Sequence, residues 1–131
     1  MRPYILLVDD DPDDLMLLSE ALFSADNSIE LKEAGDGRAA LNFLRSLNNK
    51  ATHPCLIVLD INMPVLDGRE LLAILKNDLA LKDVPVIFFT TSSNPADKKY
   101  AERFNVELIT KPFNIKLLNI AAQKIISYCK I

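Results

Sequence analysis

Leu56-Ile-Val-Leu59 runs straight into Asp60, and a turn carrying Pro64 and Gly68 follows at once. Four consecutive large apolar residues bounded by turn signals fit a strand buried on both faces, as in a parallel sheet. A carboxylate at the end of that strand would lie at the edge where open α/β sheets place their ligands. A chain built around such a strand needs further strands beside it and helices on both faces. The rest of the sequence supplies them.

Tyr4–Val8 reads as the first strand. Asp11-Pro12 joins a cap residue to proline at the first helical position, which starts a helix. That helix is expected to run to about Ala25, with Leu15, Leu18, Leu22 and Ala25 on its inner face. Ile29–Ala34 alternates apolar and polar residues and reads as a strand at a half-exposed sheet edge. Gly35-Asp36-Gly37 turns into a second helix with a stripe of Ala40, Leu41, Leu44 and Leu47. A polar loop over 48–54 leads to the central strand, Cys55–Leu59. Asp67 caps a third helix that turns Leu71, Leu72 and Leu75 inward.

Val84–Phe89 is a fourth strand ending in Thr90-Thr-Ser-Ser93, and Asn94-Pro95 repeats the cap-plus-proline start. The fourth helix has a thin apolar face of Ala96, Tyr100, Ala101 and Phe104. Glu107–Thr110 is a fifth strand, and a last helix spans about Ile115 to Cys129, with Leu117, Leu118, Ala121, Ile125 and Cys129 sufficient for its core face. Alternating strands and helices give βαβ units. The fold expected is α/β: a flavodoxin-like, doubly wound, five-stranded parallel sheet in the order 2-1-3-4-5 with five helices.

With 131 residues, half of them hydrophobic and a quarter charged, the chain makes one domain, residues 1–131. A net charge of -3 with no dense Lys/Arg cluster argues against a nucleic-acid surface. No apolar run approaches the roughly 18 residues of a membrane span. The early Asp9 leaves no room for a secretory core, so a cytoplasmic location is expected. Cys55 and Cys129 have no metal-ligand spacing and read as buried reduced thiols. His53 has no Cys or His partner nearby and reads as a loop residue.

The predicted topology gathers the strand ends: Asp9 and Asp10 from the first, Asp60 from the third, Thr90 from the fourth, Lys111 from the fifth. Three carboxylates close together raise one another's pKa unless a cation intervenes. Mg²⁺ suits such a site, taking one or two carboxylates and leaving positions for water or phosphate oxygens. Asp60 can then act as nucleophile toward a phosphoryl group, because that transfer needs chiefly positioning and charge neutralisation. Lys111 supplies the counter-charge and Thr90 a hydroxyl donor. Taken singly each residue has an ordinary structural reading; jointly they are chemically complementary.

Val8-Asp9-Asp10-Asp11, the block Asp60-Ile-Asn62-Met63-Pro64-Val-Leu-Asp67-Gly68, Phe89-Thr90-Thr91-Ser92 and Lys111-Pro112-Phe113 resemble, in order and spacing, the response-regulator receiver domain of two-component signalling. The resemblance is to the chemotaxis-regulator-like, single-domain kind. It implies that Asp60 accepts a phosphoryl group from a sensor histidine kinase or a histidine phosphotransfer protein. It implies that Asp10, Asp60 and the backbone carbonyl of Asn62 bind Mg²⁺, with Asp9 acting through water. Lys111 pairs with the phosphoryl group, Thr90 switches toward it, and the Lys111–Pro112 bond is expected to be cis. Asp11-Pro12-x-Asp14, the 48–54 loop and the Thr-Thr-Ser turn further resemble regulators serving phytochrome-like or hybrid sensor kinases.

One departure is the strand residue three before the lysine, where the family usually carries an aromatic switch and this chain has Leu108. Output is therefore expected to rely on Thr90, the loop after it and the fourth helix. No effector domain is visible, so output is expected through a docking or homodimer surface on helix 4, strand 5 and helix 5, where Ile120 falls outside the core arc. Such a chain is a phosphoacceptor, not an enzyme. The alternatives are a haloacid-dehalogenase-type phosphatase, suggested by Asp9-x-Asp11 but opposed by Pro12 and the Asp60 block, and a pseudo-receiver that binds partners without phosphorylation. A flavodoxin would need a phosphate-cradling loop where this chain is acidic.

Overall fold

The computed structural model describes residues 2–129. Five parallel strands, β1 (Tyr4–Val8), β2 (Glu30–Ala34), β3 (Leu56–Leu59), β4 (Val86–Thr90) and β5 (Leu108–Thr110), form one sheet in the order β2-β1-β3-β4-β5. The helices between and after them are α1 (Pro12–Ala25), α2 (Gly37–Arg45), α3 (Gly68–Lys76), α4 (Pro95–Arg103) and α5 (Ile115–Cys129). The expected topology holds.

Alternation along β1 divides the core. Ile5 and Leu7 pack with Leu15, Leu18 and Leu22 of α1 and Ala122, Ile125 and Ile126 of α5. Leu6 and Val8 face the other layer, with Leu41 and Leu44 of α2, Leu71, Leu72 and Leu75 of α3, and Ala101 of α4. The three central strands β1, β3 and β4 are buried on both faces along their whole length, as their unbroken apolar runs require. Edge strand β2 is buried only at Ala34.

The helix starts follow their caps. Asp11 accepts hydrogen bonds from the backbone N–H groups of Asp13 and Asp14 at the start of α1. Asp67 and Glu70 form a reciprocal capping box on α3. Between Asp60 and that cap the chain makes a tight turn at Val65, whose φ is 68° and whose flanking residues are joined by a bond from Leu66 N–H to the Pro64 carbonyl. A β-branched residue in the left-handed region is strained.

Five expectations are corrected. Ala96, expected on the apolar face of α4, is exposed, and that helix buries Asp97 and Ala101. Ala25 is exposed, and Ala21 takes its place on the inner face of α1. Leu117 is 47% exposed, because α5 meets the sheet through Ala121, Ala122, Ile125 and Ile126. All described peptide bonds, Lys111–Pro112 included, are trans, the isomer that X-Pro bonds intrinsically favour by about 0.5–1 kcal/mol. Finally, Cys55 and Cys129 are not reduced thiols but form a disulfide, with Cα atoms 5.1 Å apart. The last turn of α5 packs beside the entry to β3, which brings together two residues 74 apart in sequence. Closing so long a loop constrains the unfolded chain, so reduction should lower stability by about 4 kcal/mol. Unfolding with and without a reductant, alongside thiol titration of the untreated protein, checks this; two titratable thiols before reduction would refute it.

No helix among the described residues is long and apolar enough to cross a membrane.

Candidate functional site

Parallel register builds the site. Val8 pairs with Leu59, so Asp9 and Asp60 leave neighbouring strands at the same level. The Asp60 N–H donates to the Val8 carbonyl at 2.9 Å and the Asp9 N–H to Ala34 at 3.2 Å. On the other side Thr90 pairs with Thr110, and the Lys111 N–H donates to the Thr90 carbonyl at 2.8 Å. Four strand ends therefore share one edge, and Asp9, Asp60 and Thr90 are all buried there.

Lys111 is the centre of the arrangement. Its Nζ donates to Asp9 Oδ2 at 2.7 Å, to Asp14 Oδ2 at 2.8 Å and to Asp60 Oδ2 at 3.3 Å. All three ammonium protons thus have a carboxylate partner. Burial alone would lower the Lys111 pKa, but the hydrogen bonds to Asp14 and Asp9 and the nearby negative charges overcome it and hold the ammonium well above its ordinary range. The other oxygen of Asp60 accepts from the Ile61 N–H at 2.8 Å, and that of Asp9 from the Asp11 N–H at 3.0 Å. Burial, reinforced by the charge of Asp60, pushes the Asp9 carboxyl above its usual value despite the bonds from Lys111 and Asp11.

Asp10 is exposed at the rim. One oxygen from each of Asp9, Asp10 and Asp60 lies within 4.8 Å of the others. These are hard oxygen donors with no nitrogen or sulfur among them, a set that suits a hard divalent cation. A cation there would offset the repulsion between Asp9 and Asp60, so the residues fit the metal expected from the sequence. Asn62 is exposed in the turn just beyond. Thr90 is wholly buried, and its hydroxyl oxygen accepts from the Ser92 N–H at 3.2 Å.

The structure thus brings Asp9, Asp10, Asp60 and Lys111 together, and seats Thr90 one strand over on the same edge. Asp14 is the contact that sequence reasoning missed as a site residue. The signal available was its position in the first turn of α1, three residues after the cap, on the helix that follows the first acidic strand end.

The family model described as response regulator receiver domain matches residues 5–123. Response regulator Rcp1 of Synechocystis sp. is 39% identical over 127 residues, spanning 95% of this chain and 86% of that protein. Among solved structures, the phosphorylated cyanobacterial phytochrome response regulator RcpA superposes with a TM-score of 0.86 at 35% identity, over 98% of this chain and 94% of the other. The Mn²⁺-bound form of response regulator Rcp1 gives 0.84 at 38% identity, over 95% and 92%. The bacteriophytochrome response regulator AtBRR gives 0.74 at 31% identity, over 95% and 94%.

Proposed function

The chain belongs to the response regulator receiver domain family, signalling domains rather than enzymes, and from that premise we propose that Asp60 is its phosphoacceptor. In this reading residues 1–131 act as one receiver domain in the cytoplasm, where the Cys55–Cys129 bridge meets reducing thiols. A sensor histidine kinase or a histidine phosphotransfer protein supplies the group: the P–N bond to the donor histidine breaks as a P–O bond to an Asp60 carboxylate oxygen forms.

The observation that carries the reading is the convergence of Lys111 Nζ on Asp9, Asp14 and Asp60 beside a set of hard oxygen donors. Lys111 is already held charged and pointed at Asp60, so it needs only a small shift to meet a phosphoryl oxygen. Asp10, Asp60 and the Asn62 carbonyl would hold Mg²⁺ directly, and Asp9 through water. The metal, when bound, neutralises charge on the phosphoryl oxygens. The Thr90 hydroxyl turns from Ser92 toward the phosphoryl group, and output leaves through a docking or homodimer surface on α4, β5 and α5, where Ile120 is 58% exposed.

Incubation with Mg²⁺ and acetyl phosphate should give an acid-stable, base-labile phosphoryl adduct by mass spectrometry, absent from Asp60→Asn. An adduct that survives Asp60→Asn would place the acceptor elsewhere. No adduct on the native protein would favour a pseudo-receiver.

A further inference from the structure

Among the described residues four polar or charged side chains are buried: Asp9, Asp60, Thr90 and Asp97. Three belong to the site. Asp97, in the first turn of α4 and only 2% exposed, does not. Its Oδ1 accepts from the Arg69 guanidinium at 2.9 Å, and its Oδ2 accepts from the Ser92 hydroxyl at 2.5 Å. The Tyr100 hydroxyl, less than one turn further along α4, donates to the Arg69 carbonyl at 2.9 Å. Helix α4 is thus clamped to the start of α3 and to the loop after β4.

Ser92 joins this clamp to the site. While its hydroxyl holds Asp97, its N–H donates to the Thr90 hydroxyl oxygen. A continuous chain of polar contacts runs from Thr90 through Ser92 and Asp97 to Arg69. Burying the Asp97 carboxylate is expensive, and its cation partner Arg69 keeps a side chain 39% exposed, so the pair is a weak source of stability; the best-attested use of such a buried charge is to hold one of two arrangements. Leu108, half-buried on β5 beside Phe88, offers no hydroxyl or ring for that purpose.

We propose that Asp97 is a positioning residue that latches the unphosphorylated state: through Ser92 it fixes the Thr90 hydroxyl and the loop after β4, and phosphorylation of Asp60 opens the Ser92–Asp97 bond and frees α4 from α3. The proposal rests on Asp60 being the phosphoacceptor. The phosphoryl group carries about two negative charges in place of the one on the Asp60 carboxylate, and three strong acceptors. Thr90 swings to donate to one of them, the Ser92 N–H loses its partner, and the loop moves, taking the Ser92 hydroxyl off Asp97. Beyond the phosphoryl transfer no covalent bond changes.

The test is ¹⁵N–¹H NMR of the full chain with Mg²⁺, before and after acetyl phosphate, for wild type, Ser92→Ala, Asp97→Asn and Ser92→Thr. Phosphorylation of the wild type should move the amides of residues 92–103. In unphosphorylated Ser92→Ala and Asp97→Asn the same amides should already lie part-way along the line between the two wild-type positions. The rate of adduct formation should rise on the order of fivefold in both, since the competent arrangement is more populated. Ser92→Thr, which keeps the hydroxyl, should restore wild-type positions. Ser92→Ala leaves the Arg69 pair intact, so it carries the test even if Asp97→Asn folds poorly. An adduct on the wild type with residues 92–103 unmoved, or variant shifts off that line, overturns the latch alone. Absence of any adduct overturns the Asp60 reading, and the latch with it.

Discussion

Lys111→Met should cut adduct formation from acetyl phosphate by about 10²–10³-fold, the size of effect seen when one preorganised charge-stabilising donor is lost. It should also destabilise the metal-free protein at neutral pH by about 3–5 kcal/mol, because it removes one partner of a buried charge cluster and strands the rest. Methionine keeps most of the stem volume, so packing loss is small. What remains is Asp9 and Asp60 facing each other, each with a side chain no more than 10% exposed, and Asp14 beside them.

The pH dependence follows from the direction of the shifts. An acidic group whose folded pKa is raised, as burial already raises Asp9, costs stability once the pH exceeds its unfolded pKa. That cost is absent when the pH is low enough for both states to be protonated. The variant's deficit should therefore shrink between pH 7 and pH 4. In the native protein the Lys111 pKa is raised, so its contribution is complete below the ordinary lysine range and fades only as the pH climbs through the raised value. A divalent cation should rescue the variant at pH 7, by roughly 2.7 kcal/mol at 100 times its dissociation constant. Urea midpoints at both pH values, with and without Mg²⁺, measure all of this. An unchanged midpoint for metal-free Lys111→Met at pH 7 would show that the three bonds to Nζ contribute nothing.

The sheet order and the site edge were legible because they depend on local signals that all agree. Apolar runs mark β1, β3 and β4, cap-plus-proline pairs start α1 and α4, and every strand but β2 ends in a reactive side chain. Agreement across levels is what makes a sequence specify a fold. What escaped depends on which side chains meet across the fold. Cys55 and Cys129 meet only because α5 ends beside the entry to β3. Leu117 faces solvent because the line of contact of α5 runs through paired residues, 121–122 and 125–126, rather than the wider arc that periodicity allows. Asp97 looks like any acidic residue in a first helical turn. Its burial follows from Arg69, 28 residues earlier, and from a serine whose spacing resembles an ordinary loop. Asp14 was hidden in the same way, as a first-turn acid whose partner lies 97 residues on.

Gly68→Ala should cost about 4 kcal/mol, beyond the usual range for added methyl groups in packed interiors. Gly68 is the first residue of α3, and a Cβ there would lie 2.2 Å from the Asp60 carbonyl oxygen and 2.8 Å from the Ile61 Cα. Its backbone conformation is ordinary, so the demand for glycine is one of space. Both obstacles are backbone, and no rotamer change relieves them. The Gly68 N–H also donates to the Ile61 carbonyl at 2.8 Å, so α3 cannot retreat without breaking that bond. Either the helix start or Asp60 itself must move, and phosphorylation should fall together with stability. Gly35→Ala is the control: nothing lies within 4 Å of its Cβ position, and the change should stay within about 0.5 kcal/mol. Neither change removes a capping-box side chain, Asp67 or Glu70, so a deleted cap is not what separates the two variants. If Gly68→Ala kept the native midpoint but lost the adduct, α3 would be acting on Asp60 as a positioning wall rather than as a support. If it kept both, Asp60 would be set by β3 and its neighbours alone.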